Sequence, residues 1–320
     1  MHQCVIAAAG APIFRPVDGR PLVAWLLREL SRYGIDEAIF LSGQLLPADR
    51  DAVVALNQYL PRPLTLTLAA GDLPEPGQPL DAEFLLSDGT TLFAAPLRLD
   101  DRRATRLVHP ATAGAIGLTL HHHPVALPAL PCDHTISPCN EADASRLLHR
   151  PALFLDRDGV LNHDHGHVGT RERFDWIDGA RETIRLATQS GWHVFIVTNQ
   201  SGVARGFYGE ADVKDLLAWM RAECLALGGT IDDTRYCPFH PEAPLLSYRR
   251  ISDWRKPAPG MINDLVGAWE LDLARCLLIG DLETDMQAAA AAGIDGYRFT
   301  GGNLLRFVAP LLEGRKAVLF

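Results

Sequence analysis

An α/β fold built on a parallel sheet is what this sequence predicts, and three observations carry the prediction. Short apolar, β-branched runs alternate with stretches of helical periodicity, and several of those runs end in a polar residue. In addition, 48% of the 320 residues are hydrophobic, enough for real cores in one large or two ordinary domains. Parallel strands covered on both faces read as continuous apolar runs, and such sheets keep their sites at the strand carboxyl ends.

In the first half the pattern gives a strand over 3–8, a helix over 21–33, a strand over 37–42, a helix near 49–58 and strands near 63–69 and 83–87. Residues 121–150 break the pattern. HHHPVALPALPCDHTISPCN is rich in Pro and His and without periodicity, a short helical patch follows from Glu141 to His149, and the segment is expected to be a linker. His121, His122 and His123 are successive loop residues, a poor arrangement for gripping one ion. The second half then alternates regularly: strand 152–155, helix near 179–190, strand 192–197, helix near 210–226, strand near 231–236, helix near 259–268, strand 275–279, helix near 284–292 and strand near 295–299. The expected organisation is a first α/β domain over 1–120, the linker over 121–150, and a second α/β domain over 151–320.

Acidic residues outnumber basic ones by 39 to 30, for a net charge of −9, and no Lys/Arg stripe tracks along any segment. Nucleic acid is therefore not an expected partner. No stretch approaches the ~18 apolar residues that span a bilayer, and the opening MHQCVIAAAGAPIF lacks the basic region of a secretory signal, so no membrane partner is expected either. Six cysteines scattered through a chain too large to need disulfide staples favour a reducing compartment, and the expected location is the cytoplasm.

The chemistry concentrates at the ends of the second-half strands. In FLDRDGVLN, Asp156 and Asp158 stand one residue apart after the strand 152–155, with Gly159 behind them to allow a sharp exit. Residues i and i+2 of an extended strand share a face, so both carboxylates can meet one phosphorus. One acid can serve as nucleophile and the other can protonate the leaving oxygen and then activate water. A lone DxDG is weak, because such acids also begin turns. Three further stretches strengthen it. The run ending at Val197 leads into Thr198-Asn199-Gln200, which offers a hydroxyl and backbone N–H groups to phosphoryl oxygens; Lys256 supplies a fixed positive charge; and the run ending at Gly280 leads into Asp281, with Asp285 four residues on. Asp156 and Asp281 suit a hard cation such as Mg²⁺.

DRDGVLN, TNQSGVARG, RKPAPGM and GDLETD, in that order, resemble the haloacid-dehalogenase superfamily, and within it the branch of heptose-bisphosphate and histidinol-phosphate phosphatases. The resemblance covers residues 152 to about 300. It implies a Rossmann-like domain and a Mg²⁺-dependent aspartyl-phosphate mechanism, with Asp156 as nucleophile and Asp158 as general acid/base. Mg²⁺ would be held by Asp156, the backbone carbonyl of Asp158, and Asp281. Thr198 and Lys256 would bind the transferring phosphoryl group. Asn199, Arg205 and Arg255 would meet a phosphorylated sugar, where an Arg fork suits a second phosphate better than a point charge does. His163, His165 and His167 fall in the loop that flanks the substrate entrance in that family, where contact with substrate is a better expectation than a metal. Asp285 is left between two roles, support of the metal loop and a helix cap.

Many members of this branch carry a zinc loop before the Arg-Lys-Pro. Here Cys237 keeps its place, Phe239, Ser252 and Trp254 stand at the other three positions, and His240 is one residue late. One thiolate and a displaced imidazole do not close a tetrahedral site, so zinc is not expected, and Phe239 and Trp254 are expected to pack the loop instead. Residues 19–43 and 82–93 resemble, more faintly, the sugar-phosphate nucleotidyltransferases. The nucleotide loop AAAGAPIFRPVDGRP is short, with Gly10 and Arg15 but no Lys, and Thr90 stands at the metal position two residues after Asp88. A truncated, degenerate transferase-like domain is expected. The function expected of the whole is a Mg²⁺-dependent phosphatase acting on a heptose bisphosphate; the alternatives are a histidinol-phosphate or other small phosphomonoester phosphatase, and a non-catalytic regulator of nucleotide-sugar synthesis.

Overall fold

A computed structural model of the chain describes residues 3–6, 14, 16–17, 19–41, 45, 49–69, 84–87, 92–93, 105–108, 115–121, 129–131 and 135–136, and then 149–315 without interruption. It divides into two units, Met1–Leu148 and His149–Phe320.

In the first unit the described strands are β1 (Gln3–Ile6), β2 (Pro16–Val17), β3 (Arg20–Pro21), β4 (Glu37–Leu41), β5 (Thr65–Ala69), β6 (Phe84–Ser87), β7 (Leu92–Phe93), β8 (Thr105–Val108), β9 (Ala115–His121), β10 (Ala129–Pro131) and β11 (Thr135–Ile136). Helices α1 (Leu22–Arg32) and α2 (Arg50–Val54) fall where the periodicity puts them. One sheet runs in the order β10-β8-β9-β6-β1-β4-β5, parallel from β6 to β5 and antiparallel where β9 joins β6 and β8. Two short strands fall inside the stretch expected to be a linker: β10 pairs with β8 and β11 with β7. Runs this short show no period of two, and Pro131 lacks an N–H, so only their partners reveal them as strands. The helical patch expected up to His149 and the residues Gly10, Arg15, Asp88 and Thr90 lie outside the described residues, apart from His149 itself.

The second unit is built as its alternation predicts. Its strands are β12 (Ala152–Leu155), β13 (His193–Asn199), β14 (Asp233–Cys237), β15 (Leu277–Gly280) and β16 (Asp295–Arg298), all parallel, in the order β14-β13-β12-β15-β16. The helices are α3 (Ala180–Gln189), α4 (Ser201–Ala204), α5 (Glu210–Ala226), α6 (Gly260–Trp269), α7 (Glu283–Ala291) and α8 (Leu304–Glu313). Alternate residues of one strand feed opposite cores. Leu153 and Leu155 join Ile184, Leu216 and Val308 on one face, while Phe154 joins Met261, Leu265 and Ala288 on the other. Burying both faces, at roughly 1.5–3 kcal/mol per large apolar side chain, anchors β12, which is buried along its whole length, at the centre of the sheet. The chain leaves β12 in two directions, to β13 on one side and later to β15 on the other, so its carboxyl end is the switch point where an open sheet forms a crevice.

Candidate active site

The residue after each of the two strands at that switch point is an aspartate. Asp156 follows β12, anchored by its N–H donating to the Ile279 carbonyl at 2.9 Å, and Asp281 follows β15. The chain then turns back at once: Leu161 and Asn162 donate to the Arg157 carbonyl, and Gly159 adopts φ of +81°, which a Cβ would strain. A Cβ at Gly159 would also overlap the Asp281 carboxylate, so the glycine is what lets the two acid-bearing loops approach.

Lys256 stands between carboxylates. Its Nζ lies 2.8 Å from Asp156 Oδ1 and 2.6 Å from Asp285 Oδ1, and donates to the Val197 carbonyl at 2.9 Å. Burial works against the ammonium, but Asp156 and Asp285 outweigh it and hold Lys256 above the ordinary lysine range. Burial pushes the Asp156 carboxyl up to about 7, with Lys256 only partly offsetting it, and burial followed by Asp285 raises Asp281 as well. Asp156, Asp281 and Asp285 each offer a carboxylate oxygen within 4.8 Å of the others. Three crowded acids against one ammonium leave surplus negative charge in a buried place, and the oxygen-only donor set fits a hard divalent cation. Asp285 has two partners: one oxygen faces Lys256, and the other accepts the Leu282 N–H at the start of α7, as a helix cap does.

Thr198 is buried near the end of β13. Asn199 turns elsewhere: its amide clasps the main chain of Lys256, donating to the carbonyl at 3.1 Å and accepting the N–H at 3.0 Å. Arg205 is exposed just after α4, while Arg255 is half-buried and donates to the Phe239 carbonyl at 3.3 Å. Burial lowers Arg255, and burial together with the charges of Arg255 and Arg205 pushes His240 below its ordinary range, so two guanidiniums and a neutral imidazole share one neighbourhood. A cavity of about 390 Å³ opens beside Asp281 and Gly159 and is bordered by His163, Asp164 and Arg298.

His165 and His167 of the entrance loop take separate partners, while the His163 and His165 rings lie 6.2 Å apart. His165 pairs with Asp175 at 2.7 Å, His167 packs on the Phe207 ring, and Arg173 donates to the carbonyls of His165, Gly166 and His167, fixing the loop's path. In the 237–254 loop the Cys237 thiol is buried and donates to the Phe239 carbonyl at 3.8 Å, and Phe239 and Trp254 pack against the core below.

Sequence reasoning did not assign roles to Arg157, Asn162, Gln200 and Tyr208, which surround Asp158. The Arg157 guanidinium is fully buried and meets both Asp158 oxygens, at 2.8 and 2.7 Å; Asn162 donates to Oδ1 at 3.0 Å and Gln200 to Oδ2 at 3.0 Å. Tyr208 donates to Gln200 at 2.8 Å, and burial pushes its hydroxyl up to about 12, so it stays a donor. The only signal for Gln200 was its place two residues beyond Thr198; Tyr208 left none.

Comparison with known proteins finds relatives for the second unit. Residues 253–304, which contain Lys256, Asp281 and Asp285, match a family model described as HAD-hydrolase-like. The chain is 50% identical over 163 residues to the D-glycero-beta-D-manno-heptose-1,7-bisphosphate 7-phosphatase of Rhodopseudomonas palustris, a match spanning 51% of this chain and 91% of that protein. It is 44% identical over 143 residues to the alpha-anomer 7-phosphatase of Burkholderia mallei, covering 45% of this chain and 76% of the other. Among solved structures, a D,D-heptose 1,7-bisphosphate phosphatase from B. bronchiseptica complexed with magnesium and phosphate aligns with a TM-score of 0.43 and 32% identity, over 50% of this chain and 86% of that one. Identical at half of 163 aligned positions that span 91% of the Rhodopseudomonas protein, the chain belongs to the haloacid-dehalogenase-like phosphatases, in the family of the heptose-bisphosphate 7-phosphatases.

Proposed function

We propose that this protein removes the 7-phosphate of a heptose 1,7-bisphosphate through an aspartyl-phosphate on Asp156, with Mg²⁺ as cofactor. The observation that carries the reading is the cluster at the switch point, where Lys256 bridges Asp156 and Asp285 beside Asp281. Asp156 Oδ1 takes the Arg157 N–H at 2.7 Å and Lys256 at 2.8 Å, which leaves Oδ2 to attack phosphorus. As the bond from phosphorus to the sugar oxygen breaks, Asp158 gives that oxygen a proton. Asp158, now ionised, takes a proton from water, the resulting hydroxide attacks phosphorus, and the bond to Asp156 breaks to release phosphate. Lys256 and the Thr198 hydroxyl hold the phosphoryl oxygens through both steps, and their geometry is set before substrate arrives. Asp156, Asp281 and the Asp158 carbonyl would hold Mg²⁺, which neutralises phosphoryl charge when bound.

Arg205 and Arg255 favour a substrate with a second anionic group, since burial and then the charge of Arg205 lower Arg255, and a counter-charge would relieve both. The first unit, with parallel strands flanking β1, is assigned to a degenerate nucleotidyltransferase-like module of residues 1–120 that supports the phosphatase without transferring nucleotide. No described helix is long and apolar enough to cross a membrane, and the cysteine usage favours the cytoplasm. The test is phosphate release from heptose 1,7-bisphosphate and from histidinol phosphate, each with and without Mg²⁺. Magnesium-dependent release from the bisphosphate that leaves a 1-phosphate supports the assignment; preference for histidinol phosphate would replace the substrate.

A further inference from the structure

Gln200 is buried at 1% exposure and has every polar atom in use. One amide hydrogen goes to Asp158 Oδ2 at 3.0 Å, the other to Thr198 Oγ1 at 2.9 Å, and its carbonyl oxygen accepts from the Tyr208 hydroxyl at 2.8 Å. The amide has one sensible orientation, because turning it over would set its oxygen against the Asp158 carboxylate, acceptor against acceptor. Thr198 Oγ1 is then an acceptor from Gln200, so its own hydrogen points to whatever oxygen arrives in the site. Tyr208 is itself seated by two absences of side chain: a Cβ at Gly169 or at Gly202 would overlap its ring. Gly169 lies on the entrance loop and Gly202 in α4, so the ring is wedged between the two segments that border the site.

We propose that Gln200, held in orientation by Tyr208, is a positioning residue that ties the proton-handling carboxylate of Asp158 to the phosphoryl-binding hydroxyl of Thr198. The proposal rests on the roles given above to Asp158 and Thr198. One side chain thereby fixes the distance between proton donor and phosphoryl group, and a misplacement of about 1 Å between such groups costs on the order of 10²-fold in rate.

The leaving group separates this role from a merely structural one. The alkoxide of a sugar phosphate must be protonated as it departs, whereas nitrophenolate leaves p-nitrophenyl phosphate unaided. The measured quantity is kcat/KM, which covers the steps through loss of the leaving group, taken with Mg²⁺ present for heptose 1,7-bisphosphate and p-nitrophenyl phosphate. Asp158→Asn sets the alkyl-selective pattern, and Thr198→Val sets the unselective one. Gln200→Leu is expected to lose about 10²-fold on the sugar phosphate and less than about tenfold on the aryl phosphate. Tyr208→Phe keeps the ring between the glycines, loses about three- to tenfold on the sugar phosphate alone, and decides the matter if Gln200→Leu does not fold. Equal losses on both substrates, or none, in the Gln200 and Tyr208 variants beside a selective Asp158→Asn would overturn the relay and leave the catalytic assignment standing. An unselective Asp158→Asn would overturn the assignment and the relay with it.

Discussion

Lys256 is the side chain on which the site's charge balance turns. It is 3% exposed, lies within 2.8 Å of Asp156 and 2.6 Å of Asp285, and its main chain is clasped by Asn199. Replacing it with Met leaves two buried carboxylates facing one another, and removing one partner of a buried pair costs roughly 3–5 kcal/mol. Lys256→Met should therefore lower unfolding stability by about that amount in denaturant titrations, with added Mg²⁺ recovering part of it; a variant as stable as the parent would mean Lys256 does not compensate these acids. At this scale much of the site was legible in the sequence. Asp156, Thr198 and Asp281 stand where apolar runs end, and the fold brings strand ends together wherever the sheet is parallel. Asn199, for which the family resemblance implied substrate contact, has a further use that the sequence did not show: its amide serves the Lys256 backbone, because the segment before α6 needs a partner for its own N–H and C=O. Gln200 and Tyr208 were illegible because their meaning lies in contacts that only the folded chain makes, and Arg157 because its bond to the neighbouring Asp158 follows no recognisable spacing.

The elements succeed or fail as carriers of those residues according to how their ends are built. Gly159, at φ of +81°, lies against Asp281, and Gly280 lies against Asp285. Gly159→Ala combines backbone strain of order 1–3 kcal/mol with displacement of the Asp281 carboxylate. The expected result is a fold retained by circular dichroism, with Mg²⁺ affinity and turnover both sharply reduced; an unchanged Mg²⁺ titration would show that the close approach is incidental. The alternation of strand and helix was readable because β12, β13 and β15 are short, buried apolar runs, and the more polar outer strands β14 and β16 follow from the alternation itself. Helix α8 was not, because NLLRFVAPLLE contains Pro310, which ordinarily ends a helix, and the Asn303 cap that starts it became visible only once its side chain was seen accepting the Arg306 N–H. In the 237–254 loop, Arg250 lies over the Phe239 ring at 3.5 Å and Arg235 over the Trp254 ring at 6.0 Å, contacts that hold the loop by stacking. Elemental analysis of protein purified without added metal should find far less than one zinc per chain; stoichiometric zinc that disappears in Cys237→Ser would contradict this.

Across the whole molecule the two units carry separate expectations. Those for the second unit were readable in outline because its strand ends, loops and motifs agree with one another; those for the first were faint because β7, β10 and β11 are too short to leave a pattern. A fragment of residues 149–320, which follows the division between the units, should keep the phosphatase chemistry of the full chain. The full chain, incubated with a nucleoside triphosphate, a sugar 1-phosphate and Mg²⁺, should release no pyrophosphate; release abolished by Asp88→Ala would make the protein bifunctional. The central claim is covalent catalysis on Asp156, and the most direct measurement is to quench the full-length protein in acid during turnover of heptose 1,7-bisphosphate, reduce with borohydride, and sequence the peptide around residue 156 by mass spectrometry. The account predicts homoserine in place of Asp156, the product of reducing an acyl phosphate, and none in Asp156→Asn, which should also release no phosphate. Phosphate release with no trapped acyl phosphate, and turnover that persists in Asp156→Asn, would contradict it.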